Sequence, residues 1–409
     1  MKKVTGEFMD RSANKAFNKL AAVKLTTEQQ DLEKQIFEFC KRLLVVKERG
    51  VFVVSGDAGT GKSVILISIF NAIQKMAKDK TSILYKTSNY LLVNHPEMLK
   101  LYRNIAAECP TLLKKNFERP TTFINRSHKK QQGSDIVLVD EAHLLLTKSD
   151  PYNHFKQDNQ LQEILKLSKI VVLVFDEKQV LKGKSYWNKD KLAALVSSKN
   201  VHYYHLTEQF RVKANNDVKD WIKALVEKNI SAPPAPQKFD FRIMDDAQEM
   251  YELIKRKNRI VGLSRMLATY DFPYRLDGKD YFVNAGNFRL RWDRNQPQAV
   301  LPWAERDDSI GEVGSVYTIQ GFDLNYAGII LGPSVRYDAV HDRIRIHPEV
   351  YQDQAAFNGL AKRTDAEKAK ERLILNSIDV LLTRARLGMY IYATDTALRT
   401  RLFQGYLNR

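Results

Sequence analysis

The 409-residue chain is long enough for two or three domains that each bury a core, and its 44% hydrophobic, 28% charged composition is that of a globular protein. Lys and Arg total 65 against 48 Asp and Glu, a net charge of +17 that favours a polyanionic partner, nucleic acid before anionic lipid. Two distant cysteines, Cys40 and Cys109, exclude a thiolate zinc site and a disulfide framework and fit a reducing, cytoplasmic compartment. The start, MKKVTGEFMDRSANKAF, lacks the apolar stretch of a signal peptide, and the longest apolar runs, VILISIF and IVVLVF, are too short to cross a bilayer.

The first element that carries chemistry is VFVVSGDAGTGKSVILISIF. Phe52–Val54 read as a buried strand, because β-branched and aromatic residues run on without a polar interruption. Gly56, Asp57, Ala58, Gly59, Thr60, Gly61, Lys62 and Ser63 then match G-x-x-x-x-G-K-[ST], and an apolar helix follows. The three glycines let the backbone curl until successive N–H groups point at one phosphate chain. The start of the helix adds its positive dipole end. The pattern implies ATP with Mg²⁺, Lys62 reaching the β- and γ-phosphates and the Ser63 hydroxyl ligating the metal.

Further strands are predicted over Ser82–Tyr85, Ile136–Val139 and Ile170–Phe175. The second of these ends in Asp140 and Glu141, at the end of a parallel strand where ligands bind. Asp140 is the candidate metal ligand and Glu141 the candidate base for an attacking water. His143 completes a D-E-A-H string, with no second histidine at helical spacing to make a zinc site. Its role is either structural, within the sheet, or a coupling between two sites.

With Val51–Ser55 these strands make one parallel α/β lobe. Phe239–Met244, Arg259–Leu263, Tyr326–Leu331 and Tyr390–Ala393 form a second set. SAPPAPQKF cannot continue a helix and reads as a loop soon after the junction. The cut is placed near Leu206, giving lobes 1–205 and 206–409. RTDAEKAKERLILNSIDVLL reads as a charged helix leading into an apolar strand.

Several strings then narrow the class. DEKQ (Asp176–Gln179) looks like a helicase motif in which the glutamine senses the γ-phosphate. LTEQFRV, with Gln209, Phe210 and Arg211, is similar to the opening of a superfamily 1 second lobe. YTIQGFD, with Thr318, Gln320, Gly321 and Asp323, resembles motif V, and LLTR, with Thr383 and Arg384, resembles motif VI. LTTEQQ looks like an adenine-reading Q motif, Gln29 being the reader. Together, from about Leu25 to Leu402, these residues resemble the Schlafen group 3-like helicase domain family. The resemblance implies two RecA-like lobes with ATP between them, and Gln320 and Gly321 join the nucleotide-binding candidates. It also implies a transition-state arginine, Arg384 first and Arg211 second, with Arg386 an extra candidate because T-R-A-R-L-G stands where many relatives read T-R-G-M-K-G. Relatives often carry an appended nuclease and nothing here provides one, so the partners that the resemblance leaves open include a separate nuclease or another protein subunit.

Two stretches read either as a single-strand groove or as solvated faces over a local core. One sets Lys114, Lys115, Arg119, Arg126, Lys129 and Lys130 around Phe117 and Phe123. The other sets Arg289, Arg291 and Arg294 around Phe288 and Trp292. Thr87, Ser88 and Asn89 are further candidate donors to phosphates. The expected partner is single-stranded DNA or RNA, and no membrane. Two functions fit: a nucleic-acid-stimulated ATPase that translocates or remodels, and a regulatory subunit whose grip ATP switches.

Overall fold

The computed structural model describes residues 25–56, 60–197, 200–207, 216–234, 238–275, 277–293, 296, 298–361 and 363–407. They fall into two α/β units, one of residues 25–207 with 354–376 and one of residues 216–353 with 377–407. A single cut near Leu206 therefore misses one segment. Residues 354–376 pack with the first unit, where Asn376 Nδ2 donates to the Val180 carbonyl at 2.8 Å.

In the first unit α1 (Thr27–Val46) opens on a capping box formed by Thr26 and Gln29. Six strands follow: β1 (Gly50–Gly56), β2 (Asn89–Val93), β3 (Phe117–Glu118), β4 (Ser134–Asp140), β5 (Ser168–Phe175) and β6 (Asn200–Leu206). Their order is β3-β2-β4-β5-β1-β6 and every pairing is parallel. Parallel neighbours need crossovers rather than hairpins. These run through α2 (Lys62–Met76), α3 (Pro96–Glu108), α4 (Pro120–Lys130), α5 (Gln160–Leu167) and α6 (Lys189–Val196). All C-terminal strand ends thus share one edge of the sheet.

The strand expected at Ser82–Tyr85 is not there. Those residues form turns, Lys86 takes a left-handed φ of +62°, and the strand begins later, at Asn89. Burial explains the choice: Leu91, Leu92 and Val93 are fully buried, whereas Ile83 and Tyr85 are exposed. Strand β6 escaped the sequence reading because its residues, NVHYYHL, are mostly exposed along the sheet edge and show no apolar run.

The second unit contains β7 (Asp240–Ile243), β8 (Ser264–Ala268), β9 (Phe282–Ala285), β10 (Phe288–Trp292), β11 (Glu312–Gly314), β12 (Leu324–Leu331), β13 (Val335–Asp338), β14 (Arg343–Ile346) and β15 (Ala385–Ala393). Seven form a sheet of order β7-β15-β12-β8-β11-β10-β9, parallel except for the β9–β10 hairpin. β13 and β14 pair separately as an antiparallel hairpin. The predicted strand Arg259–Leu263 is instead the end of a helix, Ala247–Val261, which stops at Gly262 with φ +70°. Its Ala247, Met250 and Ile254 are buried at helical spacing against Met266 and Trp292. The charged RTDAEKAKERLILNSIDVLL segment is helical through Leu382, so its apolar half is not a strand.

Gly388 marks the tightest point of this second sheet. A Cβ there would stand 2.7 Å from the Asp240 carbonyl and against the Tyr326 ring. Gly388→Ala is expected to destabilise the unit by about 1–3 kcal/mol through overpacking. A urea unfolding midpoint equal to that of the parent would show that the neighbours yield at no cost.

Candidate nucleotide site

Three adjacent strands, β4, β5 and β1, each deliver one part of the site at their C-terminal ends. β1 ends at Gly56, where a Cβ would meet the Leu206 carbonyl at 2.9 Å and Thr60 Oγ1 at 3.0 Å. Only glycine lets the chain leave the strand so close to β6. Asp57, Ala58 and Gly59 lie outside the described residues. Gly61, with φ +76°, is the N-cap of α2 and no side chain caps that helix end. The first-turn amides are therefore aimed at the loop, the arrangement that holds anions.

Lys62 is buried, and its Nζ donates to the Gly56 carbonyl at 2.6 Å and lies 3.4 Å from Asp176 Oδ2. The same Asp176 oxygen accepts from Gln179 Nε2 at 2.6 Å. The lysine of the loop and the glutamine of the DEKQ string therefore share one carboxylate. Asp176 itself is fixed by the Lys178 amide at 3.1 Å.

Asp140 ends β4 fully buried. Its Oδ2 accepts from the Tyr102 hydroxyl and its Oδ1 from the Glu141 amide at 3.0 Å, and it is hydrogen-bonded to the Ser63 side chain. Burial, followed by the neighbouring Glu141 charge, raises its pKa above the ordinary carboxylate range. Glu141 takes a left-handed φ of +50°, a strained backbone for a non-glycine residue. Successive residues of a regular strand point to opposite faces, so this kink accounts for two adjacent acids facing one crevice. Glu141 Oε2 lies 3.0 Å from His143 Nε2. Burial alone would raise the Glu141 pKa, but His143, with Lys62 and His95, overrides it and holds the carboxyl low.

Gln29 sits at the same end of the unit. Its Oε1 accepts from the Thr26 amide at 3.2 Å, while Nε2 makes a long 3.5 Å contact to the Thr60 carbonyl. The residue is thus spent partly on capping α1. Gln29, Gly56, Thr60, Gly61, Lys62, Ser63, Asp140, Glu141 and Gln179 all belong to this one unit.

The profile of the Schlafen group 3 DNA/RNA helicase domain matches residues 49–395. The chain belongs to that family. The matched span leaves out Leu25–Glu48, and with it the Q-motif segment. A Saccharomyces cerevisiae protein named only as the uncharacterized protein YPL245W is 47% identical over 423 residues, covering 96% of this chain and 93% of its own. Among solved structures, the Pif1 helicase from Candida albicans aligns over 94% of this chain and 99% of its own, at 11% identity and a TM-score of 0.37. An arterivirus nonstructural protein 10 helicase in complex with DNA aligns over 89% of this chain and 65% of its own, at 14% identity and a TM-score of 0.36.

The remaining candidates of the Schlafen group 3 domain fall in the second unit. Gln320 is buried, and Gly321 follows with φ +85°. Thr318 Oγ1 donates to the Ser315 carbonyl at 2.9 Å. Arg384 is fully buried. Its Nε donates to the Val380 carbonyl at 2.7 Å, Nη1 to the Phe322 carbonyl at 3.5 Å and Nη2 to Thr383 Oγ1 at 3.2 Å. Arg386 is partly exposed near the start of β15. Gln209, Phe210, Arg211 and Arg294 lie outside the described residues.

The aromatic half of the single-strand groove is overturned. Phe117, Phe123, Phe288 and Trp292 are buried core residues, Phe117 packing on Phe70 and Trp292 on Phe272, so none offers a face to a base. Two of the arginines beside them are paired, Arg126 with Glu118 at 3.0 Å and Arg291 with Asp280 at 3.0 Å, and Arg289 lies over the Phe282 ring. Thr87, Ser88 and Asn89 come before β2 or open it rather than follow it. Asn89 is buried and the Ser88 amide donates to Asp135 at 2.8 Å. Among the described residues no helix is long and apolar enough to cross a membrane.

Two residues of the site gave no motif signal, Tyr102 on α3 and His95 at its N-cap, and Asp176, read only as part of the DEKQ string, was not foreseen as the shared acceptor. Tyr102 lies 38 residues before its partner Asp140, a distance at which spacing carries no information. Removing only its hydroxyl leaves a buried carboxylate one donor short. Tyr102→Phe is expected to lower stability of the nucleotide-free protein by about 1.5–3 kcal/mol. Equal urea midpoints for the two proteins would reduce Tyr102 to a packing residue.

Proposed function

We propose that the chain is a nucleic-acid-dependent ATPase of helicase or translocase type. The observation that carries the proposal is the convergence of Lys62, Ser63, Asp140 and Glu141 at one edge of one parallel sheet, in a chain of a helicase-domain family. Ser63 and Asp140 fit Mg²⁺, since a hydroxyl and a carboxylate, both hard oxygen donors, are already hydrogen-bonded to each other at a buried site. Bound Mg²⁺ supplies neutralisation of charge on the β- and γ-phosphates. The amides at the start of α2 hold the phosphate chain, and Lys62 exchanges Asp176 for it. Glu141 orients the attacking water and takes its proton on a carboxylate oxygen. Gln179, released from sharing Asp176 with Lys62, reports the γ-phosphate.

An arginine of the second unit completes the reaction in this proposal, a contribution of roughly 10³–10⁵ in rate. Arg384 is committed to main-chain carbonyls of its own unit, so Arg384→Ala is expected to lower both turnover and the melting temperature. A transition-state arginine loses turnover by about a hundredfold or more with an unchanged melting temperature. If Arg386→Ala behaves that way and Arg384→Ala does not, the role belongs to Arg386.

The alternative is an ATP-switched binding subunit. It is favoured by the engagement of Glu141 with His143, which competes with its use as a base. Two variants separate the readings. Lys62→Ala is expected to weaken nucleotide binding and abolish turnover. Glu141→Gln is expected to bind nucleotide like the parent and lose turnover by about 10²–10⁴. Hydrolysis by Glu141→Gln at the parent rate would remove Glu141 as the base. No turnover by the parent, with or without single-stranded DNA or RNA, would leave the switch.

A further inference from the structure

The sheet of the first unit has a second edge. Because β1 to β6 all run parallel, the segments that enter them gather at the end opposite Gly56, Asp140 and Asp176. Those entry segments are rich in lysine. Lys80 and Lys86 lie in the turns before β2, Lys114 and Lys115 in the single 3-10 turn before β3, and Lys129 and Lys130 at the end of α4 before β4. All six are exposed, and none makes an ion pair among the described residues.

These segments are joined into one surface. Lys78 Nζ donates to the Pro110 and Thr111 carbonyls at 3.4 and 3.2 Å, stapling the entry of β2 to that of β3. Asn116 Nδ2 donates to the Asn89 carbonyl at 2.9 Å and ties the same two segments. Next along the edge, before β4 and β5, lies a cleft of about 430 Å³ lined by buried Ser127, Ser134 and Ser168 and by exposed Arg49, Gln131 and Gln132. Most nearby acids are already engaged; Glu108, exposed at the end of α3, is the exception, with no ion pair among the described residues. Asp135 pairs with Lys169 at 2.7 Å, Glu163 pairs with Lys166 at 2.7 Å and His128 at 2.8 Å, and Asp79 accepts from Thr81 at 2.7 Å.

Helix dipoles account for part of this charge. Lys129 and Lys130 meet the negative end of α4, a contact of about 0.3–1 kcal/mol each. Lys86 also stands at a helix end, its amide donating to the Ala77 carbonyl that closes α2 at 2.9 Å, and Lys80, Lys114 and Lys115 lie past the last turns of α2 and α3. A helix end carries only about half a negative charge, so four cations held on two stapled loops still repel one another. We propose that this edge is a second nucleic-acid-binding face, which grips the phosphate backbone without reading sequence and lies at the opposite end of the sheet from the nucleotide residues. It rests on the reading of nucleic acid as the partner. The cleft favours nucleic acid over a bilayer: its amides and hydroxyls suit phosphate and sugar oxygens, and a flat lipid surface does not enter it. Exposed Tyr85, with the Lys86 ammonium 5.2 Å from its ring centre, adds an aromatic beside a cation, the pairing that contacts stacked or unpaired bases.

The test replaces Lys80, Lys86, Lys114 and Lys115 together with alanine in the full chain, and in a second protein with arginine. Affinity for a short labelled DNA duplex and a labelled single strand is measured between about 50 and 200 mM salt. Each lost phosphate contact removes about 0.9 from the slope of log affinity against log salt, so the alanine protein is expected to lose about 3–4 units of slope on the duplex and the arginine protein none. Melting temperature and binding of a fluorescent nucleotide report whether the variants fold. If the quadruple alanine protein melts early, Lys114→Ala with Lys115→Ala alone is expected to lose about 2 units. A parental slope in the alanine proteins, with turnover still stimulated by nucleic acid, overturns this face and leaves the ATPase reading intact. No binding by the parent even at low salt overturns both. Loss of binding to phosphatidylserine vesicles, with nucleic-acid binding unchanged, assigns the edge to membranes and overturns the proposal.

Discussion

A buried ammonium without a counter-charge costs several kcal/mol, and this constraint organises the candidate site. On the proposed reading Lys62 reaches an anion that comes and goes, so its charge needs a partner while the anion is away. Asp176, 3.4 Å from Nζ and delivered by the neighbouring strand β5, meets that need together with the Gly56 carbonyl at 2.6 Å. Because the same Asp176 oxygen also accepts from Gln179, the phosphate lysine and the glutamine of the DEKQ string are bound to one point. On the proposed reading, a phosphate that takes Lys62 changes the surroundings of Gln179 without any movement of the backbone.

Much of this was legible because P-loop chemistry is local in sequence. The glycine spacing, the lysine and the hydroxyl follow one another within Gly56–Ser63, and each acid follows directly on an apolar strand. Contacts between strands were not legible in the same way. Asp176 stands 114 residues from Lys62, and only the order β4-β5-β1 makes it a neighbour. The inward turn of Glu141 depends on one left-handed backbone angle, which no residue preference announces for a glutamate. Asn376 likewise meets Val180 across 196 residues, which is why a linear division of the chain missed the return of residues 354–376 to the first unit.

The misread strands and the misread groove share a physical cause. Short apolar runs do not reveal which face is covered. Ser82–Tyr85 and Arg259–Leu263 carry the residue types of strands, yet the first lies in exposed turns and the second ends a helix whose buried residues are spaced three and four apart. Phe117, Phe123, Phe288 and Trp292 lie among cations in sequence, but large aromatic side chains gain most by burial. The strands and helix that carry them turn those rings inward and leave some of the adjacent cations outside. Aromatic–basic interleaving in a sequence is therefore a weak sign of a stacking platform, while the cations alone keep their meaning.

The parallel sheet also fixes where the remaining charge can act. At its C-terminal edge strand ends meet helix starts, so the backbone itself presents positive potential, and on the proposed reading amides and one lysine hold a phosphate there. At its N-terminal edge helix ends meet strand starts, the backbone dipoles are reversed, and any grip on a polyanion has to come from side chains. The lysines before β2, β3 and β4 sit at that second edge, beyond the number that the ends of α2, α3 and α4 can neutralise. On the two proposals the polarity of one sheet separates a compact, backbone-built phosphate site from a broad, side-chain-built surface. It also predicts different salt responses for the two: a buried nucleotide pocket is little screened, whereas exposed lysine contacts weaken steeply as counterions compete.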